Sequence, residues 1–303
     1  MKHIIIMMLL LSLMVSTFTG CKKEKEASVG KDDNTPTVEE QEERSAKITI
    51  EDQVLVDQDG IRIAVLSYEE PGEQEDGFFG PEIILSVKNS REETISLRGD
   101  VLSINNLMSY TGISDWIETG TEKLLRLQIS PSDLDFNYTE NITTLDIKFI
   151  VENVTPEKIE TILETEPFTI NTSLKGKYKQ EVDDSGLMLY HENDLKIIYQ
   201  GINEEHSYYT RMKLYIENNS DKELFLVLHP EPGELIPEDW DHGCKVLPGK
   251  KTYAGFILKE EVIKNLSELD LKFKIYEENE YTYLRGPDFL YETDIKTIPV
   301  NLE

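Results

Sequence analysis

Four histidines, His191, His206, His229 and His242, lie beyond the first twenty residues. None stands four residues from another or belongs to a HExxH pair, and no GxSxG, P-loop or GxGxxG stretch occurs. The patterns that mark metalloprotease, serine hydrolase or nucleotide chemistry are therefore missing, and no cofactor is expected. The 59 Asp and Glu residues would bring some pair to hydrolase spacing in any fold, so a carboxylate-pair hydrolase stands as an alternative with no residue to mark it. In WDHGC, Asp239, Asp241, His242 and Cys244 offer two carboxylates, an imidazole and a thiol, but this fits no zinc spacing, and a buried structural Cys244 is expected instead. Placing Gly60 of Asp57-Gln58-Asp59-Gly60 at the sixth position of a calcium loop puts Leu55 first and Leu66 twelfth, where oxygen ligands are needed. A two-strand turn is the better reading, with weak calcium binding as the alternative.

Aromatic residues offer binding chemistry. YEENEYTYLRGPDFLY, from Tyr276 to Tyr291, crowds four Tyr and one Phe into a polar stretch that could stack on sugar rings or on peptide. Tyr281 and Tyr283 share one face of a strand if the alternation holds. Together with Trp240 they are the candidate ligand-binding residues, with Tyr208 and Tyr209 as companions; ordinary packing is the competing account.

Elements must hold such residues, and here the chain repeats itself. Ile83, Leu85, Val87, Ile95 and Leu97 fall on Met212, Leu214, Ile216, Leu224 and Leu226 at a constant offset of 129. LDIKFIVE from Leu145 matches LDLKFKIY from Leu269 at an offset of 124, and VLVDQDGIRI from Val54 matches MLYHENDLKI from Met188 at 134. Gaps fall in polar stretches. Each block alternates apolar and polar residues with period two, the pattern of a strand with one buried face. Asn89-Ser90, Asn218-Asn219-Ser220-Asp221 and Pro248-Gly249 supply turns. The reading is an all-β chain of two tandem antiparallel sandwiches, copy 1 at 48–172 and copy 2 at 173–303, joined near Ser173 to Gln180. Short crossover helices are expected at Ser130–Leu134 and Lys259–Leu266, and PEKIETIL from Pro156 is a further helical candidate.

The 303 residues carry 31 Lys and Arg against 59 Asp and Glu, a formal charge of −28. Such a field repels phosphate backbones, so no nucleic-acid partner is expected. Residues 22–47 contain no aromatic residue, have Val29 and Val38 as their only large aliphatics, and cannot bury enough to fold alone; as a flexible chain of that length they would average roughly 28 Å end to end. The tether is assigned to 21–47.

Residues 1–20 combine Lys2, an apolar run from Ile4 to Val15 and a small-residue end, which is an export signal too short to span a bilayer. The segment Phe18-Thr19-Gly20-Cys21 resembles a bacterial lipoprotein signal, which implies that Cys21 is lipidated and anchors the protein on the extracytoplasmic face of the cell membrane. Cys244 is then the one free thiol, so no internal disulfide can form. With ENNSDKELFL (Glu217–Leu226), the PGK turn at Pro248–Lys250 and LDLKFKIY, the chain resembles surface lipoproteins of Gram-positive bacteria that carry immunoglobulin-like domains in tandem. That resemblance implies a surface-displayed, non-catalytic binding or adhesion module whose partner is an envelope or secreted protein or a glycan. A structural spacer or accessory subunit of an envelope complex is the alternative.

Overall fold

The computed structural model describes residues 47–70, 72, 79–155, 158–205, 209–229, 243–277 and 290–300. The described chain is all-β, with two short helices. Cys21, Trp240, Tyr281 and Tyr283 lie outside these residues, as do Tyr208, Asp239, Asp241 and His242.

In the first half the strands are β1 (Gln53–Gln58), β2 (Ile61–Glu69), β3 (Glu82–Asn89), β4 (Ile95–Ile104), β5 (Leu107–Met108), β6 (Gly112–Ile117) and β7 (Glu122–Gln128). Helix α1 (Pro131–Phe136) then leads to β8 (Thr144–Val154), β9 (Ile159–Glu164) and β10 (Phe168–Asn171). The second half runs β11 (Leu187–Glu192), β12 (Leu195–Glu205), β13 (Tyr209–Asn218), β14 (Leu224–His229), β15 (Gly243–Val246) and β16 (Lys251–Leu258). It closes with α2 (Glu260–Ile263), β17 (Glu268–Glu277), β18 (Tyr291–Glu292) and β19 (Lys296–Pro299).

Strand pairing follows the sequence offsets. The first half's β1-β2-β3-β7 order recurs as β11-β12-β13-β16. Ile83 faces Leu127 across β3 and β7, and Met212 faces Phe256 across β13 and β16, each 129 residues on. Even the irregularities repeat: the bulge between Val65 and Ser67 returns between Tyr199 and Gly201, and that between Val54 and Val56 returns between Met188 and Tyr190. A bulge shifts every later side chain to the other face, so keeping both bulges keeps the apolar set inward in both halves. In the second sheets, β6-β4-β8 corresponds to β15-β14-β17, with Ile95 opposite Ile117 and Leu224 opposite Val246.

Alternation puts one face of each sheet into a shared core. Ile63, Leu85 and Leu125 meet Leu97, Ile147 and Phe149 in the first half, and Ile197, Leu214 and Phe256 meet Leu226, Phe273 and Ile275 in the second. All are almost wholly buried. Each such side chain removed from water contributes about 1.5–3 kcal/mol against the entropy of ordering the chain. The β1–β2 turn has Asp59 and Gly60 at φ 54° and 78°, and its partner turn has Asn193 and Asp194 at 52° and 59°. Two successive positive φ values give the hairpin turn that matches strand twist, which is what Asp59-Gly60 was expected to form, and Asn193-Asp194 repeats it.

Both crossover helices form, α1 with Pro131 at its start, where a missing N–H costs nothing. The helical expectation for PEKIETIL is corrected: Ile159–Glu164 is strand β9, paired antiparallel with β8 from Val154 to Ile150. Its Leu163 enters the first core, and that burial outweighs a weak local helix preference.

Candidate site in the trough between the two halves

The halves meet through β5. Asn105 and Asn106, at φ 52° and 68°, turn the chain back so that Leu107 bridges in parallel to Lys251 and links the second sheet of the first half to the first sheet of the second half. Met108 enters the second half's core and takes a hydrogen bond on its sulfur from the Leu247 N–H at 3.3 Å. Leu107 joins Ile198, Tyr215 and Tyr253 in a separate buried cluster against Phe136 and Val182.

A cation and aromatic rings close this junction. Lys213 Nζ lies 3.8 Å from the Tyr138 ring centre, 4.7 Å from that of Tyr253 and 5.0 Å from that of Phe136. Arg211 reaches the same Phe136 ring at 5.7 Å. It crosses Gly255, where a Cβ would sit 2.5 Å from Arg211 Cδ, so glycine keeps that path open. The Tyr253 hydroxyl accepts from the Asp183 N–H at 2.8 Å and donates to the Asp183 carbonyl at 3.1 Å, which fastens the linking segment to the sheet. Burial raises the Tyr253 hydroxyl to about 12.

Beside the junction opens a trough of about 1120 Å³. Its floor is the outer face of the first half's second sheet. Even-numbered residues of β6, of β8 and of β4 as far as its bulge between Val101 and Ser103 point outward there, because Leu97, Ile117 and Ile147 point into the core. Cross-strand pairing sets Arg98 between Ser114 and Ile150, and Asp100 between Gly112 and Lys148. The end wall comes from Glu223 just before β14, Lys245 of β15 and Pro248 in the turn after it.

Most of its charges are matched in pairs. Arg98 Nε lies 3.2 Å from Asp100 Oδ2, Lys148 Nζ 2.5 Å from Glu164 Oε1, and Lys245 Nζ 2.5 Å from Glu223 Oε1. Lys250 of the second half reaches Asp146 of the first at 2.5 Å. Asp146 also accepts from Ser103 Oγ at 2.8 Å and Thr169 Oγ1 at 2.6 Å. Burial works against its charge, but the hydrogen bonds from Lys250, Thr169 and Ser103 outweigh it and hold the carboxyl below the usual range.

Two aromatic side chains stand on this face. Tyr110, at the mouth, is 70% exposed, and its hydroxyl meets the Cys244 thiol. Trp116, 53% exposed, lies near the far end of β6 on its outward face, beyond the residues that line the trough. Neither was singled out from the sequence. The usable signal was Trp116 in GISDWI, a large ring in the polar phase of a strand whose inward positions carry Ile113 and Ile117.

The tyrosine-rich stretch is described only at its ends: Tyr276 is buried, and Tyr291 stacks on Tyr190 with ring centres 5.9 Å apart. Of Tyr209 the backbone is described, in β13. Cys244 is buried as expected, and burial raises its thiol to about 12. Among the described residues no group of three or more His, Cys, Asp or Glu side chains is placed to hold a metal ion, and no helix is long and apolar enough to cross a membrane.

No protein-family model and no curated relative matches the chain. Among solved structures, the crystal structure of red sea bream transglutaminase aligns with 81% of this chain and 32% of its own length, at 11% identity and a TM-score of 0.20. The chain thus spans about a third of that structure, and at this similarity the likeness carries no argument about activity.

Proposed function

We propose that the chain is a lipid-anchored protein of the extracytoplasmic face of the cell membrane, held by Cys21 and raised on its acidic tether. In this reading it carries two immunoglobulin-like sandwiches that act as a non-catalytic binding or adhesion module. The order β2-β3-β7 facing β6-β4-β8 supports the immunoglobulin-like assignment, being the strand arrangement of such sandwiches with β1 added at one edge. The observation that carries the binding reading is the trough itself, an open concavity walled by both halves with an exposed Tyr110 at its mouth.

A photo-crosslinking residue at Ser114, which pairs across the strands with Arg98 of the trough floor, should capture ligand on intact cells, while the same residue at Leu124, which is 63% exposed on the opposite sheet, should not. Equal capture at both positions, or none at Ser114, removes the trough as the binding surface. Cys21→Ser should release the protein into the medium, and retention in the membrane fraction would end the lipid-anchor reading.

The tight join through β5 and the Lys250–Asp146 pair also suits a spacer of fixed length. A spacer would give no specific product at Ser114, so the same experiment separates the two readings.

A further inference from the structure

We infer that the trough takes an uncharged, hydroxyl-rich glycan chain, an inference that rests on the trough being the binding surface. The chain as a whole is strongly acidic, yet the trough is not. Four basic and four acidic residues line it. Arg98, Lys148 and Lys245 are each ion-paired within it, and Lys250 is taken by Asp146.

An anionic polymer would have to pull these cations from their carboxylates and would meet the −28 field of the protein on approach. A cationic peptide would compete with Arg98, Lys148 and Lys245 for three of the four lining carboxylates. A neutral polyol needs neither exchange: paired guanidinium, ammonium and carboxylate groups still have free donor hydrogens and acceptor lone pairs for hydroxyl groups.

Pyranose rings also present an apolar face, which aromatic rings stack upon. Tyr110, which lines the trough just before β6, and Trp116, on the outward face of β6 beyond the lining, supply two such rings six residues apart, so at most about 20 Å separates their backbones along the chain. That length spans several linked pyranose rings, with Arg98 and Asp100 of the trough floor, and Ser114 paired beside Arg98, between the two stacking sites. Gly112 keeps the floor low next to Tyr110. The Tyr110 hydroxyl is anchored at Cys244 while most of the residue is open to solvent, so the ring is held ready and little side-chain freedom is lost on binding.

The test uses the full mature chain and reads Trp116 as the difference in tryptophan emission between it and Trp116→Ala, which keeps Trp240 as its one tryptophan. The probes are cello-tetraose, malto-tetraose and the tetramer of N-acetylglucosamine, with a tetramer of galacturonic acid as the charged control. At least one neutral tetramer should change Trp116 emission and give saturable heat in calorimetry, and the acidic tetramer should bind more weakly. By calorimetry, Trp116→Ala and Tyr110→Ala should each weaken binding about tenfold or more, while Tyr110→Phe, which keeps the ring, stays within a few fold of wild type. Both changed residues are exposed, and unchanged thermal unfolding of the alanine variants shows that the fold is intact.

Absence of binding by every neutral tetramer at millimolar concentration, tighter binding of the acidic tetramer, or full affinity in Trp116→Ala would each overturn the inference. If the neutral tetramers fail while the Ser114 crosslinker still captures a ligand, the trough remains the binding surface and only its glycan chemistry is wrong. If both fail, the trough reading falls as well.

Discussion

Lys250 Nζ of the second half lies 2.5 Å from Asp146 Oδ2 of the first, with both side chains four-fifths or more withdrawn from solvent. This ion pair spans the junction and shares its carboxylate with Ser103 and Thr169, so one acid ties a turn of the second half to two strands of the first. Removing one partner leaves the other poorly solvated and unpaired. Asp146→Asn and Lys250→Met should each lower unfolding free energy by about 2 kcal/mol at neutral pH, and a double-mutant cycle in urea should show coupling between them.

The pH dependence has a fixed sign. Asp146 titrates below its unfolded-state range, so its contribution is fully present above that range and is lost as pH falls through the folded value. The stability difference between wild type and Asp146→Asn should therefore shrink on acidification below about pH 4. A difference that stays constant down to acid unfolding would show that the pair contributes nothing through charge.

Asn89 and Asn218 hold equivalent corners of the two halves. The Asn89 amide donates to the carbonyls of Glu93 and Ile117, and its oxygen accepts from the Arg91 N–H. The Asn218 amide donates to the carbonyls of Lys222 and Val246, and its oxygen accepts from the Ser220 N–H. Both are fully buried, so alanine at either position orphans several backbone groups and should cost about 2–4 kcal/mol. Since each half has its own core, hydrogen exchange should show lost protection concentrated in the half that carries the change.

Tyr253→Phe removes both hydrogen bonds to Asp183 while keeping the ring beside Lys213. A loss of about 1–2 kcal/mol is expected in urea unfolding. Because the folded hydroxyl titrates at about 12, above its unfolded value, its share of stability is complete below about pH 10 and declines as pH rises towards 12. Tyr253→Phe should thus flatten the alkaline limb of the stability curve, and an unchanged limb would contradict this.

Cys244 should react with thiol reagents only when the second half opens. Its thiol is buried and titrates at about 12, so the thiolate is scarce at neutral pH. Labelling rates that rise with urea in step with unfolding are expected; fast labelling of the native protein would be inconsistent with the packing around β15.

The chain's own letters determined the strands, their inward faces and most turns, because period-two alternation and residues such as Asp59-Gly60 and Asn193-Asp194 act over a few neighbours. They also determined the matching pairing of the halves, since equal offsets carry equal registers and even equal bulges. PEKIETIL failed for a non-local reason: the β8 edge and the core site filled by Leu163 lie outside the stretch itself. The trough was likewise out of reach, since Arg98, Gly112, Lys148 and Lys245 come from four strands of two sheets in different halves. Only the burial of Met108 and Leu107 against the second half brings them to one surface. Burial of those residues is a choice among surfaces, made by the folded chain as a whole, and a local pattern of apolar and polar residues does not encode it.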